Sequence, residues 1–198
     1  MKVIENIVKN ASEYITELLT KSLPSECTYH NLIHTLQVVD AVDEIGKNSG
    51  LTEDQLEVLH LSAWFHDTGF VRGYEGHEGK SIEIADEFLK ENDYPPDKIA
   101  MINKTISVTD MKKKPVDSLE KIIRDADILH IGKGKFYENS FLLKREWEII
   151  RGKKYTETEW IKSSLDFVTK TEFYTNYAKS RYEEGRHKNI SYLKSMLK

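Results

Sequence analysis

The sequence predicts an all-α fold, on three observations. Ten Gly and four Pro in 198 residues leave long stretches without a breaker. Within those stretches apolar residues recur every three or four positions, the period of a helix with one buried face. No run alternates apolar and polar residues as a half-buried strand would.

The elements follow in order. Residues 3–20 carry Val3, Ile4, Ile7, Val8, Ala11, Tyr14, Ile15, Leu18 and Leu19 on one face, and Leu23-Pro24-Ser25 ends that helix. A second helix is expected over 31–47, stopping at the turn-rich "KNSG". Thr52 and Gln55 have the spacing of a capping box and open a third helix running to His66. "GFVRGYEGHEG" holds four glycines in eleven residues and is expected to be a flexible loop. Helices are then expected over 79–92, 97–109 and 117–131, separated by "YPPD" and "KKKP". Residues 135–198 give three more helical stretches, with Thr156 and Glu159 as another capping box. Repeats and low-complexity segments are absent, so one domain over 1–198 is expected.

Composition narrows the function. The chain is 39% hydrophobic and 31% charged, with 29 basic and 33 acidic residues interspersed for a net charge of −4. A protein that coats a nucleic-acid polymer or an anionic membrane shows a basic face, which these numbers argue against. Cys27 is the single cysteine, so neither an internal disulfide nor a thiol-rich metal site is expected. No run approaches the ~20 apolar residues of a membrane helix. A soluble, cytoplasmic protein acting on a small molecule is the expectation.

Chemistry enters with residues that break the apolar pattern. His34 sits in a row with Val38, Val42 and Ile45, and Asp127 in a row with Ile123 and Ile131. His66 and Asp67 close the apolar stretch "LSAWFHDTGF". A carboxylate in an apolar row is costly to desolvate unless a positive group meets it. Singly, each of these residues is explained by ordinary core hydrogen bonding or an ion pair. Jointly they offer two imidazoles and two carboxylates, a set suited to Mn²⁺, Fe²⁺, Co²⁺, Mg²⁺ or Zn²⁺.

These residues carry a resemblance. His34, the doublet His66-Asp67, and Asp127 resemble the H…HD…D signature of the HD-domain metal-dependent phosphohydrolase superfamily. "YHNLIHT", "FHDTGF", "HEGKS" and "IIRDADILHIG" match around them, over about 28–132. The resemblance implies an HD-type helical bundle with a C-terminal helical extension over about 133–198. It further implies a divalent ion held by His34, His66, Asp67 and Asp127, and hydrolysis of a phosphate mono- or diester of a small molecule, with a nucleotide as the expected substrate. Asp67 would both ligate and orient the attacking water. Members with two metals place further histidines after the doublet. His77 answers to the first, but "INKTISVTDM" offers Thr105, Thr109 and Asp110 and no His. One ion per chain is therefore expected, with His77 as general acid or substrate contact; a second ion near His77 is the alternative. The same gap disfavours a metal-dependent oxygenase, and an intact ligand set disfavours a non-catalytic regulatory module. The acidic pair of alarmone hydrolases and the catalytic Glu of some nucleotidases are both missing, since Phe70, Val71 and Arg72 stand there.

Arg72 and Lys80 in the glycine-rich loop, and Arg145 in the tail, are candidate phosphate contacts. His30, one turn before His34, is a further candidate beside the site. His130, one turn after Asp127, is weighed as a structural histidine. The tail's "KREWEII", "TEWIKSSLDFV" and "EFYTNYA" place aromatics at helical spacing, for core packing or a homodimer face.

Overall fold

The computed structural model describes residues 4–198, with side chains from Ile7 onward; Val3 and the side chain of Ile4 lie outside the described residues. Among the described residues every regular element is helical. The first six helices are α1 (Ile4–Ser22), α2 (Leu32–Lys47), α3 (Glu53–Phe65), α4 (His77–Glu91), α5 (Pro96–Ser107) and α6 (Ser118–Asp127). The extension adds α7 (Phe136–Arg151), α8 (Glu157–Lys170) and α9 (Asn176–Ser195). Two short 3-10 turns, Thr68–Arg72 and Leu129–Gly132, follow α3 and α6.

The caps fall where the sequence places them. Thr52 accepts from Gln55 N–H and Thr156 from Glu159 N–H, each inside a reciprocal capping box. Asp117 makes a third such box with Glu120 and opens α6. Pro96 starts α5, where its missing N–H costs nothing.

Helix α3 is the axis of the bundle, touching α1, α2, α4, α5 and α6. It is apolar nearly all round because neighbours cover it on every side. Its one buried carboxylate, Glu57, accepts hydrogen bonds from Tyr94 Oη (2.5 Å) and Lys98 Nζ (3.0 Å). Both bonds fall on Oε1 and offset part of the cost of burying the carboxylate, while Oε2 makes no hydrogen bond.

Two elements differ from expectation. Residues 68–72 form a buried 3-10 turn where a flexible loop is expected, and Thr68, Gly69 and Phe70 are all buried. The helix expected over 117–131 stops at Asp127, and the chain continues as the Leu129–Gly132 turn. In both places the break falls at a candidate ligand.

The extension clamps onto that second turn. Asn189 Nδ2 donates to the carbonyls of Ile131 (2.8 Å) and Lys133 (2.9 Å). Gly185 of α9 packs against the backbone of Gly132 so closely that a Cβ there would overlap the Gly132 carbonyl. Asp125 accepts from Tyr174 N–H (2.7 Å) and Thr175 N–H (2.8 Å). These contacts hold α9 and the 174–175 segment against the end of α6 and the turn that follows it.

Candidate metal centre and its cleft

Three helix ends deliver the four candidate ligands to one place. Asn31 caps α2, its side chain accepting from Ile33 N–H (2.9 Å) and His34 N–H (3.3 Å), which sets His34 in the first turn. His66 terminates α3, while Asp67 (φ −109°, ψ 3°) has already left helical geometry. Neighbours along a helix diverge, so the exit at Asp67 is what lets its carboxylate turn back beside His66. Asp127 is the last residue of α6, and Ile128 (φ −89°, ψ 4°) leaves helical geometry just after it.

His34 Nε2 lies 3.1 Å from Asp127 Oδ1 and 3.5 Å from Asp67 Oδ2. His66 Nε2 lies 3.2 Å from Asp67 Oδ2, 3.4 Å from His34 Nε2 and 3.9 Å from Asp127 Oδ1. His34, His66 and Asp127 each present one ligand atom, all within 4.8 Å of one another, and Asp67 Oδ2 adjoins them. His66 Nδ1 sits 2.7 Å from the Ala63 carbonyl, an acceptor only, so Nδ1 carries the hydrogen and neutral His66 points a lone pair into the cluster.

The cluster is therefore a convergence of acceptors. Asp67 Oδ2 is buried and makes no hydrogen bond. A buried carboxylate oxygen left unpartnered beside imidazole lone pairs suits a cation, and the mixed N and O set suits a divalent one. Burial disfavours the His66 cation, yet the charges of the adjacent Asp67 and of Asp127 outweigh it and lift His66 to about 9. Burial raises Asp67, but the charges of His66, then of His30 and His34, hold it well below the usual carboxylate range. Asp127 is lowered too, against burial, by its bond to His34.

A cleft of about 510 Å³ opens onto Asp67 and Asp127. His77, the first residue of α4, lines it with Nε2 3.7 Å from Asp67 Oδ1. Its Nδ1 is 3.3 Å from the Tyr74 carbonyl, and its ring stacks on Phe70 at 4.0 Å. Beside it, His30 lines the cleft. Thr109 and Asp110 line it as well, whereas Thr105 is buried and donates to the Met101 carbonyl. His130 is a cleft residue, its Nδ1 3.3 Å from Tyr29 Oη and its ring stacked on Phe136. One group of three or more metal-grade side chains converges among the described residues.

Three expected phosphate contacts fall elsewhere. Arg72 donates to Glu87 (2.6 and 3.2 Å) and Glu83 (3.4 Å) of α4, so its charge is already taken outside the cleft. Lys80 Nζ donates to the Glu75 carbonyl (2.9 Å), and Arg145 is exposed on α7; neither lines the cleft. The cations that do line it are Lys112 and Arg151, which the sequence reading passed over. Arg151 rests on Trp147, its guanidinium 4.0 Å from the ring centre, an i,i+4 pair that was legible in "WEIIR". Trp147, Trp160 and Phe167 make the cleft's aromatic wall, so the tail's aromatics serve the cleft as well as the core. Glu146 was missed too: it is fully buried and bonds to His30 and Tyr74.

A family model described as HD domain matches residues 31–132, just over half of the chain. The match begins at the cap of α2 and ends with the 3-10 turn after Asp127, so it spans all four candidate ligands and omits α7 to α9. No curated protein and no solved structure matches the chain. No helix among the described residues is long and apolar enough to cross a membrane.

Proposed function

This chain belongs to the HD domain family, a superfamily of metal-dependent hydrolases, and from that premise we propose that it hydrolyses a phosphate ester of a small molecule, a nucleotide. The observation that carries the proposal is Asp67 Oδ2, buried and unpartnered among the His34, His66 and Asp127 ligand atoms at the floor of an aromatic cleft.

In this reading His34, His66, Asp67 and Asp127 hold one divalent ion. Bound there, such an ion supplies an acidified water and a counter-charge for phosphoryl oxygens. Asp67 turns its second oxygen, Oδ1, toward His77, and so can accept a proton from the attacking water while Oδ2 stays on the cluster. His77 stands at the other side of that oxygen and donates a proton to the leaving group. The Tyr74 carbonyl and the Phe70 ring hold the imidazole in that orientation. His30 and Arg151 supply positive hydrogen-bond donors for the phosphate. The Trp147 and Phe167 wall gives a flat apolar surface for a base, the feature that favours a nucleotide over a compact phosphorylated metabolite.

Phosphate release from a panel of mono-, di- and cyclic nucleotides with Mn²⁺ tests this. Release from at least one class is expected, abolished by chelation and restored by Mn²⁺. A chain that binds Mn²⁺ yet releases nothing from any of them would act as a binding module instead.

A further inference from the structure

The family match stops at Gly132, yet a side chain beyond it, Glu146, ties down two residues that line the cleft, His30 and Tyr74. Glu146 lies mid-way along α7 and is 0% exposed. A carboxylate this deep is retained only where donors saturate it. Oε2 accepts from Tyr29 N–H (2.8 Å) and His30 N–H (3.1 Å), and Oε1 from Tyr74 Oη (3.2 Å). Oε1 also pairs with His30 Nδ1. All four donors come from outside α7, and His30 and Tyr74 are both cleft residues.

The consequence falls on His30. With Nδ1 committed to a carboxylate, the ring presents Nε2 as its remaining nitrogen. That atom has no hydrogen-bond partner among the described residues, on a side chain that is 20% exposed. We propose that Glu146 is a positioning residue of the active site, contributed by the extension: it orients His30 with Nδ1–H toward the carboxylate and Nε2–H toward the cleft, as a cationic donor to a substrate phosphate oxygen. The inference rests on the phosphohydrolase reading above. The electrostatics agree. Burial lowers His30, but its bond to Glu146 works in the opposite direction and favours the protonated ring. Glu146 is held below its own ordinary value, against burial, chiefly by His30.

Inorganic phosphate serves as the probe, titrated into the Mn²⁺-loaded full chain by calorimetry, beside ¹⁵N NMR of the His30 ring in metal-free protein. In wild type the NMR is expected to show Nδ1 protonated and the ring keeping its second proton to higher pH than an ordinary histidine. Glu146→Gln removes that state and weakens phosphate about 10-fold or more, the worth of one charged hydrogen bond. It leaves Mn²⁺ affinity near wild type. His30→Gln loses the same amount, and the double variant loses no more than either, which a purely structural tie would not produce. Glu146→Asp, charged but shorter, recovers part of the affinity. Unchanged phosphate affinity in a folded Glu146→Gln, additive losses, or a wild-type His30 neutral at Nδ1 overturns the inference and leaves the phosphohydrolase reading standing. Failure of the wild type to bind phosphate overturns both.

Discussion

Asp67→Asn is expected to lower phosphate-ester hydrolysis about 10³-fold, the scale on which loss of a charged group at the reacting centre is felt. The substitution keeps the side chain's shape and removes its charge. One amide position faces His66 Nε2 and His34 Nε2, where Asp67 Oδ2 now lies 3.2 and 3.5 Å away. A neutral amide supplies neither the ligand charge there nor a base at the oxygen facing His77. The loss is expected in binding as well as turnover. At a concentration 100 times its Kd, a ligand specific to the folded state stabilises it by about 3 kcal/mol. Saturating Mn²⁺ should therefore raise the wild-type Tm by several degrees and that of Asp67→Asn by much less. A variant with wild-type turnover and a wild-type Mn²⁺-induced shift would remove Asp67 from the site.

The second large effect is expected at Gly69, and it concerns packing. Gly69 is not needed for a left-handed backbone; among the glycines, positive φ occurs at Gly50, Gly73, Gly76 and Gly152. Its N–H donates to Ser81 Oγ at 2.8 Å, so the 68–72 turn lies directly on the first turns of α4. A Cβ on Gly69 would overlap the His77 carbonyl oxygen and come within 2.7 Å of Ser81 N. Both obstacles are backbone, which cannot swing aside as a side chain can. Gly69→Ala should cost about 3 kcal/mol, the upper range for overpacking, and lower Tm by about 9 °C at this chain length. It should also reduce activity, because the clash displaces the residue carrying His77. Gly79→Ala is the control: its Cβ meets open space two residues further along α4, and alanine is the better helix former there. Equal Tm values for Gly69→Ala and wild type would contradict the close approach.

Much of the site was legible because its residues interrupt local patterns. His34 and Asp127 stood out as polar residues within apolar helical rows, and Thr52 and Thr156 announced the helix starts through capping chemistry that needs three or four residues of context. What was misread depends on distant partners. The fate of Arg72 is decided by Glu83 and Glu87, which face it only once α4 folds back over the 68–72 turn. Glu146 bonds to residues 72 to 117 positions away, and nothing in "KREWEII" distinguishes it from Glu148 two residues on, which pairs with Lys144 one turn before it. The 68–72 segment reads as a loop by glycine content, whereas Gly69 is there to let two backbones touch.

The central claim is that His34, His66, Asp67 and Asp127 form a centre for one divalent ion, and the proton balance of binding tests it directly. His66 is lifted to about 9, so the metal-free centre holds a proton at neutral pH that a ligating imidazole must give up. Affinity should therefore rise with pH through neutrality and level off above about 9. Calorimetric titration of Mn²⁺ into metal-free protein, run at neutral pH in two buffers of different ionisation enthalpy, reads both quantities together. The predicted result is one ion per chain with release of about one proton, both lost in His66→Ala. No binding, or binding that releases no proton and survives His66→Ala, would contradict the account.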